Sequence, residues 1–176
     1  MASQGPNSPG TMADDATIGT VAWTSPNGAK VSDNIYTGSV LSDAVVQHYL
    51  KATNFGFSIP EGATIDGILV EVEQLSFEGL SNTTENSIKI VKDGVISGDD
   101  KSTNATIPAT DTYISYGGES DLWGLSFTSE DINNSDFGVV FSGKNSASVH
   151  FISVDHIRIT VYYTKNKSPF PTFFQT

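Results

Sequence analysis

Phe55-Gly-Phe-Ser-Ile-Pro-Glu-Gly-Ala-Thr-Ile-Asp-Gly-Ile-Leu-Val-Glu-Val-Glu-Gln-Leu-Ser-Phe77 is the stretch whose reading decides the fold. An apolar strand end runs to Pro60, and Glu61-Gly62 supplies a turn because glycine tolerates positive φ. A second strand starts at Ile65. From there Ile68, Val70 and Val72 fall on one face and Glu71 and Glu73 on the other, the period of two that marks a strand with one dry and one wet face. A matching segment lies far away, from Ser153 to Tyr163, where Asp155, His156, Arg158 and Thr160 interleave with Ile157, Ile159, Val161 and Tyr163. Two such strands distant in sequence imply sheets closed by remote parts of the chain.

Outward from this pair, short strands separated by turn residues are expected throughout. Thr20 to Trp23 reads as a first strand closed by Ser25-Pro26-Asn27-Gly28, and Asn34 to Val40 as a second. Val45 to Ala52 carries β-branched and aromatic residues without a helix cap or stop. Asp93-Gly94 between Ser87–Lys92 and Val95-Ile96 is the strongest hairpin signal, since a type I′ turn wants positive φ at both central residues. Tyr113 to Tyr116, Phe137 to Phe141 and Val149 to Tyr163 complete the set. Thr128 to Asn133 reads as a single helical turn capped by Thr128 or Ser129. The fold expected is an all-β antiparallel β-sandwich, jelly-roll or Greek-key like, with extended N- and C-terminal arms.

Three regions are expected: an N-terminal arm over 1–19, a sandwich domain over 20–164 and a Pro/Phe-rich tail over 165–176. The arm holds Gly5, Pro6, Pro9 and Gly10 and few apolar residues, so alone it cannot offset its ordering entropy and needs a neighbour to hold it. In the tail, Pro169 and Pro171 favour an extended chain that either presents Phe170, Phe173 and Phe174 to a partner or folds them back over its own sandwich. Pro6, Pro9, Pro169, Phe170, Pro171, Phe173 and Phe174 are therefore the candidate partner-binding residues.

Composition narrows the function. The net charge is −11, from 20 acids against nine bases, so the basic footprint that phosphate backbones require is missing and direct nucleic-acid binding is not expected. No apolar run approaches the ~18 residues of a membrane span. The first ten residues lack the basic and apolar segments of a secretory signal. With no cysteine, thiolate catalysis, Cys-ligated zinc and iron–sulfur chemistry are excluded.

Catalytic and metal patterns are weak. No Gly-x-Ser-x-Gly elbow occurs. His48, His150 and His156 are expected at the surface or an interface. Asp155 and His156, as strand neighbours, should point to opposite faces, and His150 and His156 stand about 20 Å apart on an unbroken strand. The pairs Glu71/Glu73, Asp99/Asp100 and Glu119/Asp121 read as solvated carboxylates rather than a glycosidase pair. Asp131-Ile-Asn-Asn-Ser-Asp136 opens like a calcium loop, but Asp136 stands where glycine belongs and Ser142 where the bidentate Glu belongs. Capping of the helical turn accounts for the same residues. Asn82, Asn104 and Asn133 head glycosylation tripeptides, read as chance matches without a secretory signal. Trp23, Trp123, Tyr113 and Tyr116 are core residues or, in the alternative, a sugar-stacking platform. No enzyme and no cofactor are expected.

Four segments together carry a resemblance: Thr20-Val-Ala-Trp23 with Pro26-Asn27; Leu50 to Pro60 through Ile65-Asp-Gly-Ile68; Tyr116-Gly-Gly118 with Asp121-Leu-Trp-Gly124; and Asp131-Ile-Asn133 with Phe137-Gly-Val139 and Val154 to Tyr163. Over residues 18 to 164 the chain resembles a recurrent β-sandwich module of tailed-bacteriophage virion proteins. That resemblance implies a structural role on the particle exterior as a capsid decoration (cement) protein that binds and stabilises the major capsid shell. A tail, collar or fibre component is the alternative, and a carbohydrate-binding sandwich the alternative of another class. The partners implied are the major capsid protein or another virion protein, and further copies of the chain, a trimer by analogy.

Overall fold

Val70 and Ile159, one from each of the two alternating segments, are both fully buried and are register partners in the same sheet. The computed structural model describes residues 1–76 and 82–166. Its strands are β1 (Ala2–Asn7), β2 (Thr11–Asp15), β3 (Thr37–Leu41), β4 (Val45–Val46), β5 (Tyr49–Thr53), β6 (Thr64–Ser76), β7 (Thr83–Lys92), β8 (Val95–Ser97), β9 (Thr112–Gly118), β10 (Gly138–Asn145) and β11 (His150–Thr164). One short helix, α1 (Ser129–Asn133), precedes β10.

The strands form two antiparallel sheets packed as a sandwich. Sheet one runs β1-β11-β6-β9, with β3 on the same side of β11 as β1; sheet two runs β2-β5-β10-β7-β8, with β4 also on β10. Among the described strands only β7 and β8 are both sequence neighbours and ladder partners. Ile68, Val70 and Val72 of β6 and Ile157, Ile159 and Val161 of β11 meet Leu50, Ile88, Ile90, Val139 and Phe141 of the other sheet in one core. Each such side chain stabilises the fold by about 1.5–3 kcal/mol relative to exposure.

The hairpin forms as its turn chemistry requires, with Asp93 at φ 52° and Gly94 at φ 78°. Helix α1 carries a reciprocal cap. The Thr128 hydroxyl accepts from the Asp131 amide at 3.1 Å, and the Asp131 carboxylate accepts from the Thr128 amide at 2.8 Å.

Two expectations change. Residues 1–19 are not an arm: β1 extends sheet one along β11, from Ala2↔Tyr163 to Asn7↔Ile159, and β2 extends sheet two along β5. The breakers are tolerated because Gly5 and Pro6 fall in an irregularity of the β1–β11 ladder, where a missing N–H costs no regular bond. Side chains complete the attachment. Gln4 exchanges two hydrogen bonds with Ser58, and Asn7 donates to the Phe55 carbonyl at 2.9 Å. The second change is at Thr20 to Trp23, which makes one isolated bridge, Val21 to Gln47, and no strand. Trp23 is instead tied by its amide to Asp14 at 2.7 Å and by its indole N–H to the His48 carbonyl at 2.8 Å.

Candidate functional site

The residues singled out in the sequence go to different places. Pro169, Phe170, Pro171, Phe173 and Phe174 lie outside the described residues. Pro6 is exposed and Pro9 is buried. Trp23 and Trp123 sit in the core, 4% and 0% exposed, so neither offers a face to a sugar. The Trp123 indole donates to the Ile68 carbonyl at 3.0 Å. It lies over Gly117, where φ is +74° and a Cβ would stand 2.6 Å from the indole nitrogen. Tyr116 is buried in a hydrogen-bonded chain, Gln74 donating to its hydroxyl at 2.7 Å and that hydroxyl to Glu85 at 2.6 Å. Burial, then the bond to Glu85, push its phenol pKa well up.

The Asp131 loop is occupied with structure. Asp131 is committed to the cap and to Lys92 at 3.1 Å, and Asn133 clamps the Ile59 backbone through both its amide atoms. Asp99 and Asp121 share Lys101, and Asp100 accepts from Ser87 and the Ile88 amide. Two shallow grooves of about 570 and 510 Å³ lie beside Ile18 and Tyr49 on the outer face of sheet two.

Polar side chains converge instead on the outer face of sheet one, around a bulge in β11. Val154 pairs with Gln74 and His156 with Glu73, so Asp155 is the extra residue between them. A bulge sets two successive side chains on one side of the sheet. The buried apolar residues step from Val154 to Ile157, three positions rather than two, and Asp155 and His156 both turn away from the core. The expected opposite-face arrangement is therefore overturned by this one added residue.

Around the bulge, His156 is held at both ring nitrogens, by the Ser8 hydroxyl at 2.9 Å and the Tyr113 hydroxyl at 2.8 Å. Burial first, then the charge of Arg158, depress its pKa, so the ring is neutral at pH 7. His150 and His156 are both buried, not surface residues; Ser8 and Tyr113 close over the His156 ring. Arg158 pairs with Glu71 and stacks over the Tyr113 ring, 3.9 Å from its centroid.

Glu73, Asp111 and Asp155 meet beside this group, each offering a carboxylate oxygen within 4.8 Å of the others. Glu73 comes from β6, Asp111 from the residue preceding β9, and Asp155 from the bulge. The 31–36 segment closes over them. The Asn34 amide donates to Asp155 at 3.1 Å, and the Tyr36 hydroxyl donates to Asp111 at 2.6 Å. That last bond, with the negative charge around it, pushes the Tyr36 pKa up to about 12. Burial, with Glu73 and Asp111 alongside, raises the Asp155 pKa above its ordinary value. Glu73 was expected in solvent with Glu71; it is 9% exposed, because the 31–36 segment and Tyr113 cover it.

The chain matches no protein-family model and no curated protein.

Sequence reasoning passed over this acid group, although a signal for it existed. Asp155-His156 is a polar doublet inside an alternating run, flanked by Val154 and Ile157, and such a doublet is the mark of a bulge. Nothing local in the sequence brings Asp111 or Tyr36 to it. Chemically, the arrangement is a set of hard oxygen donors held by four separate parts of the chain.

Proposed function

We propose that the chain is a structural protein of tailed-bacteriophage virions, a capsid decoration (cement) protein that binds and stabilises the major capsid shell from the particle exterior. The reading rests on the resemblance over residues 18 to 164. In its support, the residues carrying that resemblance supply core and turns: Trp23, Phe55, Phe57, Ile59, Trp123 and Phe137 are all buried.

The observation that carries a docking role is an apolar corner on an acidic protein. Val40 of β3, 62% exposed, pairs in register with Phe151 of β11, and Val149 beside it is also exposed. Single exposed apolar residues are ordinary, but neighbouring ones that form a contiguous patch mark a contact surface. Many copies of a weak contact suffice on a shell, since whatever binds only the assembled state stabilises it by mass action. Self-association into a trimer is part of the same proposal.

An antibody raised against the purified chain, applied to particles of a phage encoding it and viewed by electron microscopy, tests the reading. Label over the shell is expected. Label confined to the tail, collar or fibres assigns the module to that station, and unlabelled particles overturn the virion reading.

A further inference from the structure

We propose that Glu73, Asp111 and Asp155 form a calcium site that fastens the 31–36 segment to the bulged face of sheet one. The inference does not depend on the virion reading.

Geometry comes first. Oxygens bound to one calcium ion at about 2.4 Å lie at most about 4.8 Å apart, and the three carboxylates meet that condition pairwise. The second observation is independent of the clustering. Glu73 Oε2, Asp111 Oδ1 and Asp155 Oδ1 are each shut off from solvent and have no hydrogen-bond partner. Glu73 and Asp155 are 9% and 1% exposed as residues. A buried carboxylate oxygen without a donor is costly, and three carboxylates this close repel one another.

Among the described residues no direct ion pair supplies the compensation, although Arg158 is close enough to feel Glu73. Among the described residues no lysine or arginine pairs with any of the three; Arg158 is committed bidentately to Glu71. The two ring nitrogens of His156 are both engaged, by Ser8 and Tyr113. The donors are all hard oxygens, which disfavours zinc and copper. Glu73 stands on β6, but Asp111 precedes β9 and Asp155 is the bulge residue, an uneven setting that suits calcium better than the strict octahedron magnesium demands.

The test is thermal unfolding of the full chain, stripped with EDTA and then given calcium or magnesium at matched ionic strength and pH 7.5. At a calcium concentration a hundred times the dissociation constant, the folded state gains about 100-fold, a rise in Tm of about 5–10 °C for a chain of this size. Asp155→Asn and Glu73→Gln should each abolish that rise, yet melt in EDTA no lower than the unchanged chain, since each removes a buried uncompensated charge. Terbium luminescence excited through tyrosine and displaced by calcium gives a second readout that needs no variant. The proposal is overturned by an unshifted Tm in millimolar calcium, by an equal shift with magnesium, or by a shift that survives either substitution. Terbium emission that calcium does not displace overturns it too.

Discussion

Arg158 and Glu71 are register partners on neighbouring strands and bind each other through two bonds, Nε to Oε2 at 2.8 Å and Nη2 to Oε1 at 2.9 Å. The guanidinium also covers the Tyr113 ring, so one side chain links β11, β6 and β9 across the sheet. Arg158→Ala should cost about 1–2 kcal/mol, read as a lower urea midpoint at unchanged slope. Arg158→Lys should recover little of it, because an ammonium group makes neither the fork nor the stack. Full recovery by lysine would reduce the pair to simple charge attraction.

Trp123 is the largest fully buried side chain, and its indole replaces the space a side chain at Gly117 would take. Trp123→Ala should destabilise by about 3–5 kcal/mol in chemical denaturation. Gly117→Ala should also destabilise, through positive φ and the clash with the indole together. A Trp123→Ala chain with an unchanged midpoint would place that ring outside the core.

The N-terminal segment offers a test of strand against arm. Deleting residues 1–9 should lower the midpoint and bare the edge of β11 over Ile159 to Tyr163, raising the tendency to aggregate. A detachable arm would leave both properties unchanged. Light scattering during the melt separates the two.

Stability should fall with pH below about 6.5 through His156. Its folded pKa is depressed, so below the unfolded value the unfolded chain binds the extra proton and stability drops as pH falls. Asp155 acts in the opposite sense at lower pH, its raised folded pKa favouring the fold as it protonates. Asp15, Asp121 and Asp131, all lowered, lose their contribution as pH falls below about 4. His156→Gln should flatten the slope between pH 7.5 and 5.5 in denaturation midpoints, and an unaltered slope would assign it to other groups.

The two-layer fold was legible because Ile68, Val70, Val72 and Ile157, Ile159, Val161 alternate cleanly, and pattern of that kind survives any detail of packing. The Asp93-Gly94 turn and the Thr128 cap were legible for a similar reason, since their chemistry is local. The strand character of residues 2–7 was not, because it comes from β11, some 150 residues away, and breakers dominate the local signal. The acid group escaped for the same reason. Alternation assigned Glu73 to solvent, and its burial comes from tertiary neighbours, Tyr113 among them.

Ala2 lies opposite Tyr163, so the start of the chain and the end of its last strand leave the sandwich at one corner. Fusion partners joined before Ala2 or directly after Thr164 would therefore stand over the same point of the surface. A circularly permuted chain, with a short linker joining those ends and new ends opened at Asp93-Gly94, should keep every ladder except the β7–β8 hairpin.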